Sequence, residues 1–401
     1  MQRSNERILT THVGSLAKPD DLQTMIAARE AGQPYDAAAL AGRVTDAIAE
    51  VVRTQAEIGI DVVNDGEFSK SSWGAYFRTR LSNVDARPGQ RSTPGLIYER
   101  EEPRFPDWFT GARAGGGPMF SYVLRAGAAA RGLPVAGIQG AFCTGPLAYV
   151  GHAQVQADID NLKAAARTGV KVEELCMTAL APPTMTFFLK NEHYATDRDF
   201  LFAIAEAMNA EYRAIADSGI LLQLDEPAIL TDWHWMTDAT VAEYRAKLAV
   251  QVEALNVALR GVPPDRVRMH SCWGSIHHPH TDDIPLADVV DLILQVNVGA
   301  YSIEASNPRH DHEWEVWQDV KLPDGKILIP GVIGHFTDFV EHPRLVAERI
   351  VKYARVVGRE NVIAGVDCGL GTRVGSESIQ WAKLAALAEG ARIASATLWA
   401  V

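Results

Sequence analysis

Apolar residues in this chain fall into short runs separated by longer stretches of helical spacing. The runs that read as strands are residues 8–11, 62–65, 135–139, 172–177, 220–225, 267–270, 292–296, 327–332 and 362–366. Helical spacing covers 37–58, which stops at Gly59; 158–166; 199–216, closed near Gly219; and 240–259, closed by Gly261 and Pro263-Pro264. It returns at 342–357, with Pro343 in the first turn and Gly358 after the last, and at 376–389, ahead of Gly390. Proline early and glycine late is the usual polarity of a helix. Strands alternating with helices predict parallel βα units. With nine candidate strands for the eight positions of a closed barrel, 135–139 is assigned to an insertion. The expected fold is a single (β/α)₈ TIM barrel spanning 1–401.

Two stretches break the alternation. Residues 82–132 are rich in Gly, Pro and Arg with scattered aromatics (Tyr98, Phe105, Trp108, Phe109, Phe120, Tyr122), and 305–325 hold Arg309, His310, His312, Trp314 and Trp317. Both are read as insertions in the βα loops, where lids and binding loops occur.

Composition adds exclusions. A formal net charge of -12 argues against nucleic acid or an anionic membrane as partner. No apolar run approaches the roughly 20 residues of a membrane helix, and the first residues resemble no secretion signal. Four widely spaced cysteines suggest no disulfide framework, so a reducing cytoplasm is the expected compartment.

Candidate chemistry centres on Arg268-Met269-His270-Ser271-Cys272-Trp273-Gly274. Residues two apart on a strand share a face, so His270 and Cys272 can offer an imidazole and a thiolate to one ion. Alone the pair is a weak signal. Glu304, after the apolar run 289–298, and Cys368, after the strand 362–366, supply further ligands if barrel strand ends converge. One nitrogen, two sulfurs and one oxygen suit zinc. A zinc this electron-rich is a poor hydrolytic Lewis acid but can hold a substrate thiol as thiolate. Cys143 and Cys176 are expected to pack as small apolar residues.

The chain also carries, in order, Thr10-Thr11-His12-Val13-Gly14-Ser15-Leu16, Asn64-Asp65-Gly66-Glu67-Phe68, Cys143-Thr144-Gly145-Pro146, Gln223-Leu224-Asp225-Glu226-Pro227-Ala228, His270-Ser271-Cys272, Ile303-Glu304 and Asp367-Cys368-Gly369-Leu370-Gly371-Thr372-Arg373. Together these resemble the catalytic domain of cobalamin-independent methionine synthase and its shorter relatives, within the superfamily of methionine synthase and uroporphyrinogen decarboxylase-like barrels. The resemblance implies zinc on His270, Cys272, Glu304 and Cys368, and transfer of a methyl group to homocysteine. It implies that Ser15 takes the amino-acid carboxylate while Glu67 and Asp225 take the ammonium. The physics agrees: two carboxylates match one cation, and Gly14 lets backbone N–H groups approach an anion. His335 and Asp225 are the catalytic candidates, His335 as general acid for the leaving group.

One departure stands out. The methionine synthases carry an aspartate and a histidine shortly after a Gly-Val pair; here Gly334 occupies the acid's place and His335 is offset by one. His342, in Val340–Pro343, is read as a cap of the helix after it. The chain is too short for the extra N-terminal domain of the full-length enzymes, so the donor, a methyl-folate or a methyl-corrinoid, is left open. Within the superfamily the alternative is joining a coenzyme M-type thiol to an epoxide. A porphyrin-decarboxylating barrel, which needs no metal, and a non-catalytic zinc-binding barrel are the remaining readings.

Overall fold

In a computed structural model, residues 1–71, 73–87, 89–90, 92, 99–114, 140–275, 277–371 and 373–400 are described. Eight parallel strands make one sheet: β1 (Leu9–Thr10), β2 (Val62–Val63), β3 (Glu174–Leu180), β4 (Leu221–Asp225), β5 (Val267–Ser271), β6 (Ala300–Ile303), β7 (Ile327–Ile333) and β8 (Ile363–Val366). Each neighbours the next in chain order, β8 lies beside β1, and a parallel bridge between Thr11 and Val62 closes the ring. The result is the expected (β/α)₈ barrel.

The helices pack outside the ring. Ala37–Ile58 buries Leu40, Val44, Ala47, Ile48, Val51 and Val52 on one stripe, the i, i+3/i+4 spacing that a core-facing helix requires. Asp36 caps its start, accepting from the N–H groups of Ala38 and Ala39, and Gly59 ends it at φ 99°. Val241–Ala258 opens on a capping box between Thr240 and Glu243. His342 caps Pro343–Val357 by accepting from the Arg344 N–H at 3.1 Å.

Three expectations are corrected. The run at 292–296 is not a strand: Val290–Ile293 forms a helical turn, and β6 begins at Ala300. Val289, Ile293 and Val296 are fully buried at helical spacing, and an apolar run of that length is ambiguous between the two periods. The last helix does not stop before Gly390 but runs Glu377–Leu398. Gly390 serves close packing instead: a Cβ there would sit 2.4 Å from Val346 Cγ1 on the neighbouring helix. The helix read at 158–166 starts earlier, at His152.

The candidate strand 135–139 lies outside the described residues, as do Tyr98, Phe120, Tyr122 and Thr372. Immediately after it, Gly140–Cys143 pairs antiparallel with Val84–Arg87 and parallel with Leu189–Asn191 in a small sheet of its own. Within 305–325, Glu313–Glu315 and Val316–Asp319 are short helical turns, and Trp317 is buried. No helix among the described residues is long and apolar enough to cross a membrane.

Candidate metal and substrate site at the barrel mouth

Parallel strands deliver their C-terminal ends to one face. There β4 ends on Asp225, β5 leads into Cys272, β6 into Glu304, β7 into Gly334-His335, and β8 into Asp367-Cys368. Lateral pairing carries on past the strands, with Glu226 N–H donating to the His270 carbonyl, Glu304 N–H to Ser271 and Asp367 N–H to Ile333. The side chains at these ends are therefore held by sheet geometry. In register, Asp225 lies beside His270 and Gln223 beside Arg268. Lower in the barrel Arg268 donates to the Thr11 hydroxyl at 2.6 Å and the His12 carbonyl at 2.7 Å, which ties β5 to the end of β1.

The ligand atoms of His270, Cys272 and Cys368 lie within 4.8 Å of one another, all buried. The two sulfurs are 4.0 Å apart and not bonded. That separation is close to the roughly 3.8 Å edge of a tetrahedron with metal–sulfur bonds of about 2.3 Å. Both ring nitrogens of His270 are buried with no hydrogen-bond partner. An imidazole left in that state at a cost of about 1–3 kcal/mol per group calls for another occupant. A hydrogen bond from Cys272, with the His270 ring alongside and the charges of Arg373 and His335, holds the Cys368 thiol well below its usual range despite burial. The same bond, with burial, pushes Cys272 up. A divalent cation would relieve that pairing by accepting both sulfurs as thiolates, so these three residues fit a soft or borderline metal.

The structure does not bring Glu304 into this trio. It belongs to a second buried group with His335 and Asp367. Its carboxylate accepts from the Trp273 N–H at 2.8 Å and from Asn307 Nδ2 at 3.1 Å. Burial raises its proton affinity well above the usual carboxylate range. Because Trp273 follows Cys272, Glu304 holds the backbone that presents the thiol.

Around the trio lie the other expected residues. Asp225 Oδ1 is 3.9 Å from His270 Nε2 and has no hydrogen-bond partner, and burial pushes this acid up to about 7. Glu67 sits at φ 62° on the turn after β2, with its N–H donating to Asp65 Oδ1. Its carboxylate abuts Gly14: a Cβ there would meet Glu67 Oε1 at 2.7 Å and Thr178 Oγ1 at 2.4 Å, so no larger residue fits. Burial raises Glu67, against the pull of Lys70 and Lys18. The Ser15 carbonyl accepts from the N–H groups of Leu370 and Gly371, which sets Ser15 against the turn that follows Cys368.

His335 is fully buried, neither ring nitrogen has a partner, and burial lowers it to about 3. Beside it, a Cβ on Gly334 would lie 3.3 Å from Ser306 Oγ and 4.0 Å from Asp367 Oδ2. Two carboxylates thus lie near the position where the acid is absent: Glu341 Oε1 at 3.3 Å from that Cβ, and Asp367, which follows β8, at 4.0 Å. Asp367 accepts from the N–H groups of Ala305 and Ser306 and from the Ser306 hydroxyl. The Gly334 N–H donates to Glu341, whose carboxylate pairs at 2.9 Å with Lys383 of the last helix; Lys383 also donates to the Gly334 and Phe339 carbonyls.

Sequence reasoning passed over Asp367 and Arg373 as site residues, although both stood in the Asp367–Arg373 motif. Arg373 bears electrostatically on Cys368, Asp225 and Glu67 and donates to the Gly369 carbonyl.

Residues 8–177 and 182–391 match the family described as cobalamin-independent synthase, catalytic domain. The chain belongs to that family. Among its relatives is a methionine synthase from Sulfolobus acidocaldarius, 26% identical over 90% of this chain and 85% of its own length. Another is 2-hydroxypropyl-CoM lyase from Xanthobacter autotrophicus, 24% identical over 98% of this chain and 96% of its own. The fold is similar to that of a B12-independent methionine synthase from Shewanella sp. W3-18-1 in complex with selenomethionine, with a TM-score of 0.68 over 98% of this chain and 100% of that one, at 21% identity.

Proposed function

We propose that this family member is a zinc-dependent methyltransferase that methylates the thiol of homocysteine to give methionine. The observation that carries the reading is the convergence of Cys272 and Cys368, 4.0 Å apart, with an imidazole that has no other partner. Zinc held by His270, Cys272 and Cys368 would supply the means to keep the substrate sulfur deprotonated at neutral pH.

The protein's own groups do the rest. Glu67 and Asp225 receive the ammonium of the amino acid, and their raised proton affinities fall once that cation arrives. The N–H groups beside Gly14 and Ser15, with Arg373 nearby, receive its carboxylate. Glu304 keeps Cys272 in place through the Trp273 N–H. His335 stands buried beside Asp367 as the group placed to pass a proton to the departing donor, a role that requires the imidazolium form, which burial disfavours. The donor is a methyl-folate or a methyl-corrinoid.

Two measurements on purified protein test the reading. Zinc content is compared between the wild type, Cys272→Ser and Cys368→Ser; unchanged zinc in both variants ends the metal assignment. Methionine formation from homocysteine is assayed with methylcobalamin and, separately, with methyl-tetrahydrofolate. Zinc without methionine from either donor shifts the reading to the alternative that the 2-hydroxypropyl-CoM lyase relative favours, union of an epoxide with a sulfonate-bearing thiol. Glu67 and Asp225 weigh against that alternative, since such a thiol lacks an ammonium.

A further inference from the structure

A further buried cluster occupies the loops after β4, β5 and β6, and none of its residues belongs to the thiolate trio or to the group of Glu304, His335 and Asp367. Asp283 receives three imidazoles: His234 Nε2 on Oδ1 at 2.7 Å, and His280 Nδ1 and His310 Nε2 on Oδ2 at 2.7 and 2.8 Å. The ligand atoms of His280, Asp283 and His310 all lie within 4.8 Å of one another.

The surroundings are those of ligands held in place. His310 turns its other nitrogen to Glu313 at 3.0 Å and stacks on Trp273 with ring centres 3.6 Å apart. Metal-bound histidines commonly hold their second N–H on a carboxylate in this way, which fixes tautomer and orientation. Glu101, from the segment between β2 and β3, fastens the 278–283 loop: it accepts from His278 Nδ1 at 2.6 Å, from the Thr281 hydroxyl at 2.9 Å and from the N–H groups of Thr281 and Asp282. His280 keeps a left-handed backbone at φ 59°, uncommon for a residue with a side chain, and Arg309 Nε donates to its carbonyl at 3.0 Å. Three buried carboxylates, Asp283, Glu101 and Glu313, require positive charge among these rings. Protons on the imidazoles or a divalent cation can provide it.

We propose that His280, Asp283 and His310 form a second metal site, for a divalent first-row transition ion such as zinc or ferrous iron, with His234 on the far oxygen of the shared carboxylate. Two imidazole nitrogens and one carboxylate oxygen are a fitting donor set for such ions and leave coordination positions for water or a small ligand. The separations of 2.7 and 2.8 Å are hydrogen-bond lengths; ion-to-donor bonds of about 2.0–2.2 Å require the donors to part by a few tenths of an ångström. An ion there locks the loops after β5 and β6 together over the barrel mouth.

The test is cobalt titration of the metal-stripped full chain, read by absorption and by metal analysis. Two equivalents are expected. One brings a thiolate-to-cobalt charge-transfer band and disappears in Cys368→Ser. The other brings only weak d–d absorption and disappears in Asp283→Asn and in His310→Gln, with the thiolate band intact. A wild-type chain that takes up no cobalt beyond the thiolate-bound equivalent overturns the proposal, and so does a second equivalent that survives both substitutions. The wild-type titration decides even if a variant fails to fold. A missing thiolate band alongside a retained histidine-dependent equivalent counts against the zinc reading of the trio and supports the second site.

Discussion

Two buried polar clusters share the mouth of this barrel, and they are built in opposite ways. The trio His270, Cys272 and Cys368 stands on the ends of β5 and β8, placed by sheet register, with an imidazole that no protein group satisfies. The histidines around Asp283 stand on loops, and each ring there has a carboxylate within 3.0 Å. Strand ends can hold an unsatisfied group because the sheet fixes them regardless of what binds. Loops need mutual bonds to keep their shape. The first arrangement is left incomplete until an ion binds, whereas the second is closed by its own bonds and would exchange them for an ion that locks the loops.

The contrast is sharpest under loss of a sulfur. Cys368→Ser is expected to remove trio-bound zinc and to lower methyl transfer by more than about 100-fold, the upper end of what even outer-layer changes cost at metal sites. It should leave the thermal midpoint of the metal-stripped protein nearly unchanged; a large drop would mean that the trio is a structural prop. Next is Asp225→Asn, which removes a charged partner of the substrate's ammonium. KM for homocysteine should rise by about 10–100-fold, as for loss of a charge-assisted hydrogen bond, with zinc content retained. An unchanged KM would remove Asp225 from substrate binding.

Gly390→Ala probes the frame instead of either cluster. Crowding Val346 should cost about 1–3 kcal/mol in urea unfolding while zinc stoichiometry stays at its wild-type value. Loss of zinc in that variant would show that strand ends are not fixed independently of helix packing. The smallest effect belongs to Glu101. Burial raises its proton affinity, but hydrogen bonds from His278, Thr281 and Asp282 outweigh it and bring the group down to about 2. A carboxylate depressed in the folded state adds stability that is present above its ordinary value near 4.5 and fades as pH falls through about 2. His278, lowered by burial to about 4, acts in the same acid direction from about 6.5 downward. Exchange protection of the 278–283 loop should therefore weaken in acid, and less so in Glu101→Gln. An acid profile identical in the two proteins would deny Glu101 that role.

Much of this was legible in the sequence. His270-x-Cys272 alone was a weak signal; it gained meaning only with Cys368 at the end of a second strand and with the ordered set of motifs along the chain. The alternation alone gave the barrel, and most helices start or stop at the cap residues expected of them. What escaped depended on partners distant along the chain. β6 was displaced because Val289, Ile293 and Val296 mimic a strand in composition while following a helix in period. Gly390 carried the mark of a helix end and proved to be a contact with Val346. The tract His277-His278-Pro279-His280-Thr281-Asp282-Asp283 is dense in histidine and acid, but nothing local announces that His234, His310 and Glu101 meet it. Likewise one of the two carboxylates near Gly334, Asp367, follows a different strand.

Lys383 connects the chemistry to the far end of the polypeptide. It is a fully buried ammonium on the closing helix, gripping the segment that begins one residue before His335. A shift in where that helix rests would reach residues 334–341 through the ion pair with Glu341 and through the hydrogen bonds to the Gly334 and Phe339 carbonyls. On the role proposed for His335, altering the helix that carries Lys383 is expected to change rate before it changes affinity.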